Sequence, residues 1–106
     1  MGTNRISDFD KNPSVEEIRS ATKTLLDEYG FFGAVLFGSY AEGTASDNSD
    51  VDIYLKVPAG ARTKDVFNFA YDLGEVIGKT VDAYGSHEVP EASALYDQIK
   101  AKGVAL

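Results

Sequence analysis

Residues 51 to 57 read Val-Asp-Ile-Tyr-Leu-Lys-Val, with an apolar side chain at every second position. A period of two belongs to an extended strand, whose side chains alternate between its faces. Val51, Ile53, Leu55 and Val57 must share one face, directed at a core. Asp50, Asp52, Tyr54 and Lys56 must share the other. The two carboxylates then stand roughly 6 to 7 Å apart along one strand. Like charges so placed repel, and no Lys or Arg alternates with them before Lys56. Something positive is expected to sit over that face.

The rest of the chain supplies what such a strand needs. A helix is expected near 13–29, begun either by Asn12-Pro13 or by a capping box of Ser14 with Glu17. Its apolar face is Ile18, Ala21, Leu25 and Tyr29, flanked by Leu26, and Gly30 is its stop. Phe31 to Phe37 is a nearly continuous apolar run, read as a buried strand. Pro58-Ala59-Gly60 ends the Val51–Val57 strand. A second helix spans about 63–77 with Thr63 as its cap. Val66, Phe69, Ala70, Leu73, Val76 and Ile77 form its stripe, and Gly78 closes it. Thr80 to Tyr84 is a third strand. A third helix runs from Pro90 or Glu91 to about Lys102, and Val104 to Leu106 is a short last strand. The order α-β-β-α-β-α predicts an α/β (α+β) fold, helices packed on a small mixed sheet. Residues 1–12 read as an N-terminal arm and 13–106 as a single domain.

The 106 residues carry 10 basic and 17 acidic side chains, a net charge of −7. This balance disfavours direct binding to long nucleic acid, which requires cationic neutralisation of phosphates. It suits divalent cations or a basic protein partner. No apolar run reaches the roughly 20 residues of a bilayer span, and Met1 to Lys11 is not a signal segment. A cytoplasmic location is the expectation. The chain has no cysteine, so thiolate metal sites are excluded.

Oxygen-only ligands select hard cations, so Mg²⁺ or Mn²⁺ is the expected guest over Asp50 and Asp52. Asp82 is the third candidate ligand. It interrupts an apolar strand, where a carboxylate is costly unless paired or metal-bound. The three converge if the strand carrying Asp82 lies beside the one carrying Asp52. Upstream, Gly38-Ser39 ends an apolar run. Glycine lets the backbone approach a ligand, and a short helix opening at Ser39 would offer N–H groups to an anion. A phosphate-holding turn beside a two-metal carboxylate cluster is equipment for nucleotidyl transfer.

Gly38-Ser39, ten intervening residues and Asp50-Val51-Asp52 resemble the signature of the polymerase-β-like nucleotidyltransferase superfamily. The wider stretch FGSYAEGTASDNSDVDIYL, with VDAY downstream, looks most like the minimal nucleotidyltransferases that act as antitoxins to HEPN-domain toxins. The closing IKAKGVAL is similar to the usual ending of that group, and the resemblance covers about residues 14–106. It implies that Gly38 and Ser39 hold the β- and γ-phosphates. It implies that Asp50 and Asp52 ligate two Mg²⁺ ions, while Asp82 binds the catalytic one and polarises the acceptor hydroxyl. The implied reaction is transfer of AMP from ATP to a tyrosine of a HEPN partner, silencing that toxin.

One position departs from the family pattern. Glu42 stands where arginine is frequent, removing a phosphate-binding charge; Arg62, Lys64 and Lys79 are the candidate replacements. Asp47 reads as a loop charge and His87, the sole histidine, as a surface residue. Phe67 and Tyr71 fall off the apolar stripe, where a partner could meet them. Tyr40 either packs or stacks near the nucleotide. Two other functions compete: a catalytically weak antitoxin that neutralises its partner by binding, and a catalytic subunit that nucleotidylates a small-molecule alcohol.

Overall fold

The computed structural model describes residues 12–106, so the expected arm lies, apart from Asn12, outside the described residues. The elements are α1 (Val15–Tyr29), β1 (Gly33–Phe37), α2 (Ser39–Glu42), β2 (Val51–Lys56), α3 (Thr63–Ile77) and β3 (Val81–Gly85). A 3₁₀ turn (Ser86–Glu88), α4 (Ala94–Lys102) and β4 (Val104–Ala105) complete the chain. No helix among the described residues is long and apolar enough to cross a membrane.

Local chemistry sets the helix ends. Of the two possible starts for α1, the capping box is the one used. The Ser14 hydroxyl accepts from the Glu17 N–H at 3.0 Å, and the Glu17 carboxylate accepts from the Ser14 N–H at 2.7 Å. Gly30, at φ 71°, ends the helix in the left-handed conformation that glycine adopts without strain. The start of α3 differs from expectation. Arg62 occupies the cap position and its N–H donates to the Asp65 carboxylate at 3.0 Å. Thr63 is the first helical residue, and its hydroxyl donates to Glu88 instead. The last helix also begins later than expected, at Ala94. Residues 90–93 form a turn closed by Ser93 N–H to Pro90 C=O, and Ser93 then caps the helix.

The sheet has the order β3-β2-β1-β4. β1 runs antiparallel to β2 and to β4, while β2 and β3 are parallel. Helices α1 and α3 cover one face. Ile18, Leu25 and Leu26 of α1 and Val66, Phe69, Leu73 and Ile77 of α3 bury Leu36, Val51, Ile53 and Leu55. The apolar face of β2 is therefore the one its alternation predicts. Thr22, which carries no apolar signal, is fully buried with this group. Val76 is 45% exposed, contrary to its place in the expected stripe; it lies on the rim of that stripe, in the last turn.

Aromatic contacts bind α3 to α1 and to the segment that follows α1. Phe69 stands 5.3 Å from Tyr29 and 5.6 Å from Phe31, centroid to centroid. The Tyr29 hydroxyl donates to Asp72 at 2.6 Å. Burial, then the Asp72 hydrogen bond and charge, push the Tyr29 hydroxyl up to about 12.

The opposite face of the sheet is only partly covered. Ile99 of α4 and Val89 pack on Phe37 and Tyr54. Tyr54 is consequently buried, although it shares a strand face with Asp52. What stays open on this face is the end at which β2 begins. Phe69→Ala should empty the centre of the main core. A cost of ~3–5 kcal/mol is expected, read as a lower urea midpoint with an unchanged denaturant slope.

Candidate functional site

The open end of the sheet is where the sequence-expected residues meet. Phe37, Asp52 and Asp82 lie on one rung across β1, β2 and β3. The Val51 N–H donates to the Thr80 carbonyl at 2.9 Å, which fixes this register from the start of β2. Asp50 immediately precedes β2 and is exposed. The parallel pairing of β2 with β3 thus brings Asp82 beside Asp52, the adjacency on which convergence depended.

The three carboxylates act on one another. Burial, then the charges of Asp82 and Asp50, raise Asp52 above the ordinary carboxylate value. Asp82 is exposed, not enclosed as its place in an apolar strand suggested; partial desolvation first, then the charge of Asp50, raise it above the ordinary carboxylate value. The ion pairs among the described residues are Arg19–Glu16 and Lys102–Glu42, so none neutralises this rung. Among the described residues no three acidic or histidine side chains are close enough to enclose a metal ion, so the expected convergence of three carboxylates is met only as the strand register of Asp52 with Asp82. Their chemistry still suits a hard divalent cation, because every donor is oxygen and the charge is uncompensated.

Gly38 joins this cluster to the turn before α2. Its backbone has φ 75° and ψ −155°, a region essentially confined to glycine. A Cβ built there would lie 2.3 Å from Asp52 Oδ2. Asp52 therefore packs directly against the Gly38 backbone, and Ser39 follows at the start of α2. Gly43, at φ 78°, closes that single turn.

The remaining candidates separate cleanly. Tyr40 is buried in the main core, so of its two readings it packs. Glu42 faces Lys102 of α4 at 3.6 Å; its acid is partnered across the fold rather than directed at the carboxylate rung. Lys79 donates to the Asp47 carbonyl at 2.6 Å, anchoring the loop that leads to Asp50. Arg62 and Lys64 begin α3, whose 15 residues carry the chain ~22 Å, so they sit at the far end. His87 is exposed and packs on Gly85, beyond the other end of β3. Tyr84 was not singled out from the sequence. It follows Asp82 by two residues, on the same strand face, and its ring lies 5.7 Å from Phe37. Burial, then Asp82 and Asp52, raise its hydroxyl. The period-two spacing in Val-Asp-Ala-Tyr was the available signal.

Known proteins share this fold. The sequence pattern of the family described as "Polymerase beta, Nucleotidyltransferase" matches residues 16–106. This chain belongs to that family. A candidate protein adenylyltransferase of Methanocaldococcus jannaschii is 35% identical over 69 residues, which cover 65% of this chain and 74% of the relative. The structure of a candidate minimal nucleotidyltransferase is 25% identical with a TM-score of 0.73, covering 89% of this chain and 97% of the other. The same fold recurs in a toxin-antitoxin structure with AMP-PNP. It is 24% identical, with a TM-score of 0.72, covering 81% of this chain and 69% of that one. The mixed sheet with packed helices is thus the polymerase-β-like nucleotidyltransferase fold, and the chain is a nucleotidyltransferase by family.

Two outcomes are expected of this site. Gly38→Ala should destabilise the protein by ~1–3 kcal/mol, seen in urea unfolding, because Cβ meets both backbone strain and the Asp52 carboxylate. The second concerns pH. A carboxyl raised in the folded state favours its protonated form, so its contribution is fully present below the ordinary value of 3.8. It is lost as pH rises through the raised value. Asp52→Asn removes that loss. In metal-free buffer its thermal midpoint should exceed that of the parent at pH 7, and the gap should close below pH 3.8.

Proposed function

We propose that the protein is a metal-dependent adenylyltransferase that moves AMP from ATP to a hydroxyl, a tyrosine, of a HEPN-domain toxin, and so acts as its antitoxin. The observation that carries this reading is the Asp52–Asp82 rung with Asp52 seated on the Gly38 backbone. A turn suited to phosphate and a pair of uncompensated carboxylates share one wall. The name of the archaeal relative supports a protein acceptor. The toxin-antitoxin structure with AMP-PNP supports an adenine nucleotide and a toxin partner.

In this reading Gly38 and Ser39 hold the β- and γ-phosphates. Asp50 and Asp52 hold two divalent ions, Mg²⁺ with Mn²⁺ as substitute, and Asp82 holds the catalytic one. When bound, the ions supply charge neutralisation to the triphosphate and lower the cost of ionising the acceptor. Asp82 stands at the outer end of the rung, next to the incoming hydroxyl. The hydroxyl oxygen attacks the α-phosphorus in line, and the α–β phosphoanhydride bond breaks. Pyrophosphate leaves, and the hydroxyl proton passes to carboxylate oxygen at Asp82. The fixed rung contributes by holding these groups in register before the reaction begins.

Incubation with ATP labelled in its α-phosphate, Mg²⁺ and a HEPN toxin should transfer label to the toxin. Chelation by EDTA should abolish it, and Asp50→Asn or Asp82→Asn should lower it by ~10²-fold or more. Toxin inhibition that persists in both variants without label would replace this reading with neutralisation by binding alone. Label on a small alcohol but never on protein would overturn the acceptor class.

A further inference from the structure

The chain holds six tyrosines, and the fold places five of them away from the carboxylate rung or inside the core. Tyr40 and Tyr54 are buried, and the Tyr29 hydroxyl donates to Asp72. Tyr96 sets its ring edge-on to Tyr54 and lies beneath the Lys100 ammonium. Tyr71 is exposed on α3, where with Phe67 it lines a groove along the outer edge of β3. Tyr84 remains. It is 37% exposed and belongs to neither group of side chains that builds the core.

Two independent bearings fix where its ring lies. The first is strand register. Tyr84 stands two residues after Asp82 on β3, so the two side chains leave the same face ~7 Å apart. Tyr54 is its neighbour on β2, as Asp52 is the neighbour of Asp82. The second bearing is a ring contact. The centroids of Tyr84 and Phe37 are 5.7 Å apart, although β2 lies between their strands and holds β3 and β1 ~10 Å apart. The rings therefore meet over β2, on the side of the sheet that carries Asp52. Phe37 is the residue before Gly38, whose backbone seats the Asp52 carboxylate. The Tyr84 phenol thus reaches across the floor of the site, from the strand of Asp82 toward the turn assigned to the phosphates.

A phenol so placed is the same chemical group that the proposed reaction takes from its partner. We propose that Tyr84 is a self-modification site, to which the protein transfers AMP from ATP when no toxin is present. The inference rests on the reading that Asp82, Asp52 and the Gly38 turn perform adenylyl transfer to a tyrosine, and it adds an acceptor within this chain. The Tyr84 phenol oxygen attacks the α-phosphorus of ATP and forms the new oxygen–phosphorus bond. The α–β phosphoanhydride bond breaks, and its electron pair leaves with pyrophosphate. The phenol proton passes to carboxylate oxygen at Asp82. The product is an adenylyl phosphodiester on Tyr84, and ATP is the sole co-reactant. Acceptor and carboxylate belong to one strand, so the step is intramolecular and needs no encounter between proteins.

The test incubates the full chain alone with Mg²⁺ and ATP labelled in its α-phosphate, then maps the adduct by digestion and mass spectrometry. A single adenylyl group on Tyr84 is expected. Asp82→Asn should lower it by ~10²-fold or more, and Tyr84→Phe should abolish it. The rate constant should hold under a roughly tenfold dilution of the protein, as an intramolecular step requires. A rate that follows protein concentration, or an adduct on Tyr71 or elsewhere in place of Tyr84, overturns the proposal. A second readout needs no turnover. N-acetylimidazole, which acetylates accessible phenols, should modify Tyr84. An ATP analogue with a methylene between its α- and β-phosphates should protect it when Mg²⁺ is present. Equal acetylation with and without the analogue overturns the place of Tyr84 beside the α-phosphate. A parallel sample contains a HEPN toxin. Label on the toxin, with none on Tyr84 when the chain is alone, sinks the self-modification and leaves the transferase reading standing. Label on Tyr84 with none on the toxin keeps the self-modification and sinks the toxin as acceptor. Label on neither overturns both.

Discussion

The contact between the Asp52 carboxylate and the Gly38 backbone is the constraint on which the rest of the site depends. It needs a glycine twice over, for its backbone angles and for the space that a Cβ would fill. In return it joins two pieces of chain that are otherwise separated by a surface loop. The turn before α2 and the start of β2 become one surface. Asp82 is then added by the parallel pairing of β2 with β3, one strand further along the same rung.

The surrounding fold keeps this arrangement in place despite its charge. Three carboxylates without a cationic partner repel, and Asp52 and Asp82 are raised by desolvation first and by that repulsion second. The cost is borne by the two helices packed on the opposite face, where Ile53 and Leu55 alternate with Asp52 and are fully buried. The strand that carries Asp52 is thus anchored by its buried face. Such local destabilisation supported by a strong scaffold is the usual condition of a functional site. The two lysines near the site serve the scaffold as well. Lys79 holds the loop before Asp50, and Lys102 offsets Glu42. The residue that looked like a loss of phosphate-binding charge is part of the contact between α2 and α4.

Much of this was legible in the sequence, for a specific reason. Periodicity is a property of the chain itself. Alternation at 51–57 could only be a strand with acids on one side, and the stripe from Val66 to Ile77 could only be a helix with one buried face. Ser14 with Glu17, Gly30 and Gly78 marked helix ends because caps and left-handed glycines act within a few residues. The spacing from Gly38-Ser39 to Asp50 and Asp52, with Asp82 downstream, was enough to name a family. The later start of α4 and the exposure of Val76 were not legible. Both are decided by what the neighbouring turn or sheet edge offers, not by the segment itself.

The sequence by itself determined which residues are acidic, which face of each strand they occupy, and which glycine could tolerate a ligand or a carboxylate against its backbone. These follow from local stereochemistry. Only the tertiary structure decided that Asp82 stands opposite Asp52, that Asp52 rests on Gly38, and that α4 covers Tyr54 while leaving the acids open. It also decided that β3 ends the sheet beside Phe67 and Tyr71. Register and strand order are settled by burial summed over the whole core, to which residues far apart in the chain contribute together.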